Sequence, residues 1–348
     1  MAFTRTARCP IAARIPSDRV ADAEPPGPTV AVAVEDEVLE FARAVGVGLS
    51  DTPRWLPCRY LYDARGSELF EEITEQPEYY PTRTEAAILA AHAADIRDLT
   101  GPVTLIELGS GSSTKTGHLL AAYAEGGEDV RYVAVDVSDS ILRAAGAAIN
   151  RRHPTVQVTP VVGTYAEAFP LFSQYAPSMA LFLGSTIGNF NQTESAAFWQ
   201  KVSSHLTPGD YFLLGVDLVK DTEVLEAAYN DAAGVTARFT RNLYARMNRE
   251  LGADVDLDQI EHVARYNADW QRIEIFTRFL VPQTIHNRPV GRRHRLRKDE
   301  KVMIEISRKF VLDDLREFVR YFGFEVRRAF TDENRWFGVL LLQKGDDL

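Results

Sequence analysis

Short apolar runs that alternate with helical stretches limit the folds open to this chain more than any other feature. Each run is short enough to be one strand, and the stretches between the runs carry apolar residues at helical spacing. Largely apolar runs are typical of strands buried on both faces, and intervening helices form the crossovers of a parallel sheet. We therefore predict an α/β fold with helices on both faces of the sheet. The five runs are residues 103–108, 130–135, 156–162, 179–183 and 211–216.

Glycine-rich or acidic segments follow four of the five runs. The first run leads into GSGSS (109–113), the second into Asp136, the fourth into GSTIGN (184–189) and the fifth into Asp217. In an open parallel sheet, ligands bind outside the carboxyl ends of the strands. We therefore expect these four segments to lie at one edge and to form a binding site there.

The rest of the chain predicts helices at 35–47, at 82–94 and over about 222–251. Two alternating runs, 272–280 and 302–310, indicate a long antiparallel hairpin with a basic tip. Alternation places Met303, Glu305 and Ser307 on one strand face. The runs 324–330 and 336–342 can complete the edge of the sheet.

Composition and charge exclude several classes of protein. The net charge of −10 and the 25% of charged residues are those of an ordinary globular protein, and no apolar run approaches the ~20 residues of a membrane span. Cys9 and Cys58 cannot build a disulfide framework or a CxxC site, which fits a cytoplasmic protein. The seven histidines show no metal-ligand spacing, and the basic tip is expected to be solvated rather than to bind nucleic acid. Residues 1–35, rich in proline and aperiodic, predict a flexible extension.

The glycine-rich turn after the first run admits two nucleotide cofactors. A dinucleotide fingerprint needs GxGxxG, but GSGSS (109–113) lacks the third glycine. Asp136, at the end of the second run, can accept hydrogen bonds from ribose hydroxyls in either class. Because Glu107 leads into the turn, ELGSGSS resembles motif I of class I S-adenosylmethionine (SAM) methyltransferases. The plain alternatives are a tight strand-to-helix turn and, for Asp136, a helix cap.

Longer blocks extend this resemblance over about five-sixths of the chain, from residue 55 to the C-terminus. In order they are LPCRYLYDARGSELFEEITEQPEYYPTRTEAAIL, LIELGSGSSTKT, LFLGSTIGNF, LLGVDLVKD, AAYNDAAGVTARFTRN and MIEISRKF. Together they resemble the L-histidine Nα-methyltransferase family of ergothioneine biosynthesis. Fungal enzymes that N-methylate tryptophan-derived amines are similar to the same blocks, so the resemblance alone does not fix the amino acid.

The resemblance implies a SAM-binding, class I Rossmann-like sheet and a second, α+β domain for the amino acid substrate. It places the substrate domain at 36–83 and 219–308, and the SAM domain at 84–218 and 309–348. The implied reaction is the SAM-dependent trimethylation of the α-amino group of L-histidine to hercynine, with no metal, nucleic acid or membrane involved.

The resemblance also implies roles for single residues. Contacts with SAM are implied for Gly109, Lys115, Asp136, Thr164 and Tyr165. The substrate's amino and carboxylate groups are implied to contact Tyr79, Asn189 and Tyr229, of which Asn189 and Tyr229 are the implied catalytic residues. The imidazole is implied to contact Glu305 and Ser307. The remaining wall of the substrate site is implied to contain Tyr62, Phe70, Gly184 and Ile275.

Two features of these assignments leave alternatives open. The family has an acidic residue before the aromatic that follows strand three, whereas Thr164 precedes Tyr165 here; its hydroxyl can still accept from the adenine amino group. A carboxylate at Glu305 suits an imidazole N–H and is costly against an indole edge, so it favours histidine over tryptophan, tyrosine or a derived amine. Glu274 is a rival carboxylate, and a non-catalytic SAM-binding protein is the remaining alternative.

Overall fold

The computed structural model describes residues 34–125 and 129–346 of the 348-residue chain. The predicted extension, residues 1–35, lies outside the described residues except for its last two, which begin the first helix. The described residues form ten α-helices: α1 (Val34–Gly48), α2 (Ala64–Thr74), α3 (Tyr80–Thr100), α4 (Gly117–Ala124), α5 (Asp139–Arg152), α6 (Tyr165–Ala168), α7 (Gln192–His205), α8 (Thr222–Ala227), α9 (Val235–Leu251) and α10 (Leu312–Arg320).

Twelve strands are formed by the same residues. They are β1 (Thr104–Leu108), β2 (Val130–Asp136), β3 (Val156–Val162), β4 (Ser178–Phe182), β5 (Tyr211–Asp217), β6 (Ile260–Asn267), β7 (Arg272–Phe279), β8 (Gln283–Asn287), β9 (Arg292–Leu296), β10 (Lys301–Arg308), β11 (Phe324–Thr331) and β12 (Phe337–Lys344).

Seven strands form the central sheet, in the order β11-β12-β5-β4-β1-β2-β3. The strands β1 to β5 are parallel, while β12 runs antiparallel to β5 and β11 antiparallel to β12. All five predicted runs are therefore strands of one sheet, and the last two runs complete its edge as predicted. The predicted α/β class is confirmed.

Helices cover both faces of the central sheet because its middle strands are apolar on both sides. Every residue of β1 and of β4 is buried. Ile106 packs in a core with Phe182 and Trp199, whereas its neighbour Leu105 packs in the opposite core with Leu119. Successive side chains of a strand point to opposite faces, so a strand with two covered faces needs a mostly apolar run.

A second, antiparallel sheet has the order β10-β7-β6, and β8 and β9 form a separate hairpin between β7 and β10. The predicted pairing of the two alternating runs is confirmed. Strand β6 was not predicted, because its sequence IEHVARYN mixes charged and apolar residues without an apolar run. A third core, built from residues 41–80 and 225–304, covers this sheet. The domain boundaries at 83, 218 and 308 stay a prediction.

The helical region predicted over 222–251 is broken in two, which corrects the expectation that Tyr229 lies on a helix. Helix α8 ends at Ala227, and the Asp231 carboxylate accepts from the backbone N–H of Val235 at 2.6 Å. Gly234 has a φ of +67°. Asp231 caps helix α9, and the left-handed backbone of Gly234 precedes that helix, so α8 does not continue into α9. Tyr229 therefore lies in the break between the two helices.

The predicted strand alternation is wrong at Met303. A bulge lies between Met303 and Glu305: Met303 pairs with Phe276 and Glu305 with Ile275, which are neighbours on β7 and face opposite ways. The segment between α1 and α2 contacts the bulge, because the Met303 N–H donates a hydrogen bond to the Arg54 carbonyl at 3.0 Å. Glu305 shares its face with Ser307, as predicted, but not with Met303.

Candidate active site

The carboxyl ends of the parallel strands bring most of the predicted SAM contacts to one edge of the sheet. Gly109 turns the chain after β1 with a φ of +72°, and Asp136 ends β2. One Asp136 oxygen accepts from Gly111 N–H and the other from Ser138 N–H, both at 3.0 Å. A carboxylate has about four acceptor positions. Asp136 therefore supports the turn locally and retains acceptor capacity for a ribose diol.

Tyr165 packs over the glycine turn. A Cβ placed on Gly109 would lie 3.1 Å from the Tyr165 hydroxyl, so the turn has room for glycine and for little else. Burial, helped by the nearby Asp136 carboxylate, raises the pKa of Tyr165. The tyrosine ring meets Phe182 edge-on at 5.3 Å. These contacts fit one flat wall of a nucleoside pocket.

Thr164, beside Tyr165, is engaged with Glu167. The Thr164 N–H and hydroxyl donate to one Glu167 oxygen at 2.7 and 3.0 Å, which caps α6. Its hydroxyl hydrogen is thereby used and its oxygen can still accept. This arrangement fits the acceptor role for an adenine amino group, which stays a prediction.

Glu107 supports the glycine turn from within the protein. Its carboxyl accepts from the Thr116 hydroxyl at 2.7 Å and from Tyr132 of β2. Burial raises the pKa of Glu107 to about 7. The acid that leads into GSGSS therefore ties the turn to the neighbouring strand.

Lys115 is paired with Glu85, a buried residue of α3 that the sequence did not single out. The two side chains form an ion pair, and the Glu85 carboxylate also accepts from the Gly184 N–H at 2.8 Å. Lys115 is thus held at the end of β4, not solvated in a helix. Gly184, predicted at the substrate, lies in this same group.

A glycine in β5 makes room for Glu85. A Cβ on Gly215 would lie 1.9 Å from the Glu85 carboxylate oxygen and 3.4 Å from the Leu183 Cα. We expect Gly215→Ala to lower the free energy of unfolding by about 1–3 kcal/mol, because the buried carboxylate must move. The measurement is urea unfolding followed by circular dichroism.

Gly146→Ala is the matched control. Its Cβ would make an ordinary contact, 3.6 Å from Val158 Cγ1, inside helix α5. Because alanine is the better helix former, this variant should be as stable as the wild type or up to about 1 kcal/mol more stable. Equal stability of the Gly215 and Gly146 variants would contradict the close fit of Glu85.

Aromatic rings form one wall of a second group of predicted residues. Tyr62 meets Phe70 edge-on at 5.6 Å, and Phe70 meets Tyr79 at 6.3 Å. Tyr79 in turn meets Tyr229 at 6.0 Å. Phe239 of α9 closes the cluster at 5.4 Å from Tyr62. Four aromatics that were predicted to line the substrate site, three of them from residues 62–79 and the fourth Tyr229, therefore form one cluster of rings.

A polar strand face of β10 lies beside this wall. The Tyr229 hydroxyl and the Ser307 hydroxyl are 2.9 Å apart. Glu305, two residues before Ser307, is the cross-strand partner of Ile275. Burial raises the pKa of Glu305 to about 7, against the opposing effects of Lys309 and a hydrogen bond with Asn189. The predicted ring-binding pair thus stands next to the predicted amine-binding residues.

A buried cluster of charges behind Tyr229 was not predicted. Lys309 Nζ forms an ion pair with Asp217 at 2.7 Å, and Asp217 is fully buried. Lys220 also pairs with Asp217, and the Tyr80 hydroxyl donates to the Asp217 carboxylate at 2.9 Å. Burial lowers the pKa of Lys220 to about 8. Of its members, only Asp217 was noted in the sequence, as the acid that follows the fifth apolar run.

The segment GSTIGN (184–189), which follows β4, connects the two groups of predicted residues. Burial raises the pKa of Tyr62, with contributions from Glu305 on the substrate side and from Tyr165 on the SAM side. A Cβ placed on Gly188 would lie 2.9 Å from the carbonyl oxygen of Arg308 in β10, and Asn189 is hydrogen-bonded to Glu305. The carboxyl end of β4 and the polar face of β10 are therefore neighbours.

The rival carboxylate, Glu274, is engaged by two arginines. Glu274 lies on the other face of β7, bonded to Arg272 at 2.8 Å and Arg265 at 3.3 Å. Within residues 34–125 and 129–346, no three His, Cys, Asp or Glu side chains are grouped to hold a metal ion. In that same part of the chain no helix combines the length and apolar character of a membrane span.

Known proteins with similar sequences perform methyl transfer. A family model described as "Histidine-specific methyltransferase, SAM-dependent" matches residues 41–344. The histidine N-alpha-methyltransferase of Mycolicibacterium smegmatis is 41% identical over 310 residues, which are 89% of this chain and 97% of that protein. That of Mycobacterium tuberculosis is 40% identical over 306 residues, 88% and 95% respectively. The 4-dimethylallyltryptophan N-methyltransferase of Claviceps purpurea is 30% identical over 57% of this chain and 61% of its own.

Proposed function

Because the chain belongs to the family of histidine-specific, SAM-dependent methyltransferases, we propose that it methylates the α-amino nitrogen of L-histidine. We further propose that three transfers occur in sequence and give the betaine hercynine. The observation that carries the proposal is the 2.9 Å contact between Tyr229 and Ser307, with Glu305 on the same strand face. This contact puts the tyrosine that we propose for the amine beside the pair that we propose for the ring.

The residues at the sheet edge fit SAM. Gly109 leaves the space that a side chain would fill beneath Tyr165, and Asp136 keeps acceptor positions for ribose hydroxyls. Lys115 carries a positive charge suited to the SAM carboxylate. When bound, SAM supplies a methyl group on a positively charged sulfur.

The acceptor nitrogen must be a free amine, because only the neutral form has a lone pair for the methyl group. An α-amino group is largely protonated near neutral pH, with a pKa of about 8. Asn189 and the hydroxyls of Tyr79 and Tyr229 can accept its N–H bonds without the negative charge that would stabilise an ammonium. Burial raises the pKa of Tyr79 and of Tyr229, so both hydroxyls stay neutral.

Positioning accounts for most of the proposed rate enhancement. The sulfide leaves as a neutral group, so no general acid is needed, and a well-oriented pair of reactants reaches effective molarities of about 10⁵ M or more. The ring faces of Tyr79 and Tyr229, whose centroids are 6.0 Å apart, can hold the growing methylated cation through cation–π contact. Three transfers also require that the amine can turn between them.

Glu305 supports histidine over an aromatic amino acid with an apolar ring. A carboxylate in a half-buried pocket is costly when it faces an apolar indole edge, whereas an imidazole N–H gives it a further hydrogen-bond donor. The test measures S-adenosylhomocysteine release with L-histidine, L-tryptophan and L-tyrosine at equal concentrations. We expect histidine to be turned over at least ten times faster than the others. Faster turnover of tryptophan or tyrosine would favour the second candidate, an N-methyltransferase of another amino acid.

The acidity of Glu305 predicts how histidine binding depends on pH. Its pKa is raised to about 7 by burial, so the carboxylate acceptor is present above pH 7 and lost below it. We expect histidine affinity for the S-adenosylhomocysteine complex to fall as the pH is lowered from 8 to 6. In Glu305→Gln only the ionisations of histidine itself, those of its α-amino group and of its imidazole, should remain. Calorimetry that gives identical pH profiles for both proteins would exclude Glu305 as the acceptor.

We also propose that the protein is located in the cytoplasm. Cys58 is a free thiol in the structure, and two cysteines in the whole chain support a reducing compartment such as the cytoplasm.

A further inference from the structure

Lys309 links the two halves of the proposed substrate site. Its ammonium is fully buried and donates to the Tyr229 hydroxyl oxygen at 2.9 Å and to the Ser307 hydroxyl oxygen at 2.8 Å. Its third contact is the Asp217 carboxylate at 2.7 Å. An ammonium has three N–H donors and no acceptor, so all three donors are used and both hydroxyl oxygens are acceptors toward Lys309.

The number of hydroxyl protons limits which atoms of Lys309, Tyr229 and Ser307 can donate and which can accept. Tyr229 and Ser307 carry one hydroxyl proton each, and one of these protons lies in the 2.9 Å contact between them. The other proton has no acceptor within the three side chains, because Lys309 cannot accept. One hydroxyl proton therefore remains for an acceptor outside these three side chains.

We propose that Lys309 is a positioning residue that makes Tyr229 an acceptor for the substrate amine and Ser307 the donor to an unprotonated ring nitrogen. This inference rests on the proposed function. A hydroxyl donor pointed at the amine would occupy the lone pair that must attack the methyl group, so the Tyr229 proton is directed to Ser307. Ser307 then accepts from Lys309 and Tyr229 and donates its own proton outward.

The consequence is a defined protonation state for the bound side chain. Ser307 donates to one ring nitrogen, which must be unprotonated, and Glu305 on the same strand face accepts from the other ring N–H. The site therefore selects neutral imidazole, in one tautomer. Because both acceptor positions of Ser307 are used, it cannot also accept from an imidazolium.

The wild-type protein tests this directly. Histidine labelled with ¹⁵N in the ring is bound to the protein in the presence of S-adenosylhomocysteine, and its ring nitrogens are observed by NMR. We expect one protonated and one unprotonated nitrogen. Two protonated nitrogens in bound histidine would overturn the role of Lys309 and leave the proposed function standing. Failure of histidine to bind at all would overturn both.

Lys309→Met, with Lys220→Met as its matched control, tests the residue itself. Both lysines are buried partners of Asp217, but Lys220 reaches Tyr80 and the Leu218 carbonyl instead of Tyr229 and Ser307. The ligands are L-histidine and β-(2-thienyl)-L-alanine, whose ring has no nitrogen, and the readout is the ratio of their Kd values with S-adenosylhomocysteine bound.

We expect Lys309→Met to reduce the preference for histidine about tenfold or more, the loss of one charge-supported hydrogen bond. Lys220→Met should leave the ratio at its wild-type value, even though both variants lose stability. An unchanged ratio in Lys309→Met, or an equal change in the two variants, would overturn the proposal. If Lys309→Met does not fold, the wild-type NMR measurement decides.

Discussion

Glu305→Ala is expected to lose most of the activity toward histidine, with kcat/KM falling about ten- to a hundredfold, while SAM affinity stays unchanged. A hydrogen bond to a charged acceptor contributes about 1.5–3 kcal/mol, which corresponds to that range. The carboxylate lies opposite Ile275, so its removal leaves a larger and more apolar pocket. Tryptophan should therefore become a relatively better substrate. The measurement is kcat/KM for histidine and for tryptophan in wild type and variant.

Glu274→Ala is the control for this prediction. Glu274 is a buried carboxylate of the neighbouring strand, but it lies on the opposite face and is bonded to Arg272 and Arg265. Its loss should reduce stability without changing the ratio between the two substrates. A ratio that stays constant in Glu305→Ala, or that moves equally in both variants, would remove Glu305 as the selector of the amino acid.

Asp136→Ala is expected to weaken SAM binding by at least ten- to a hundredfold. The change removes a doubly accepting carboxylate, a loss of about 1.5–3 kcal/mol or more. It also releases the Gly111 N–H and the Ser138 N–H that the carboxylate holds at 3.0 Å, so the glycine turn loses its anchor. Calorimetry with SAM and with S-adenosylhomocysteine measures the effect.

Asp139→Ala separates this effect from a general loss of negative charge. Asp139 lies three residues further on, exposed enough to pair with Arg143 at 2.8 Å within α5. It should bind SAM as the wild type does. An Asp136→Ala protein that is folded and keeps wild-type affinity would exclude Asp136 from the cofactor site.

The central sheet could be predicted from the sequence because its signal is local. A strand buried on both faces is mostly apolar, and all five predicted runs are parallel strands, including the partly exposed edge strand β3. Strand β6 could not be found this way, because an antiparallel strand with one wet face tolerates charges such as Glu261 and Arg265. The bulge after Met303 depends on hydrogen bonds with Arg54, almost 250 residues away, and no local pattern predicts it.

Some residues of the candidate site could likewise be identified from local sequence features, and others only from the fold. Gly109 and Asp136 stand at strand ends, where the topology alone directs attention. Asp217 was marked in the same way, and Lys309 could have been added, since it follows Ser307 by two residues on an alternating strand. Glu85 has no such signal. Its carboxylate meets its partners, Lys115 and Gly184, only when the folded chain places α3 beside them.

The most direct test of the proposed reaction is the identity of its product. The purified chain is incubated with L-histidine and methyl-labelled SAM, and the product is analysed by mass spectrometry and by NMR of the new methyl groups. The account predicts histidine that carries three labelled methyl groups, all on the α-nitrogen, with an unmodified ring. Methyl groups on a ring nitrogen, or no methylated histidine while another amino acid is methylated, would contradict it.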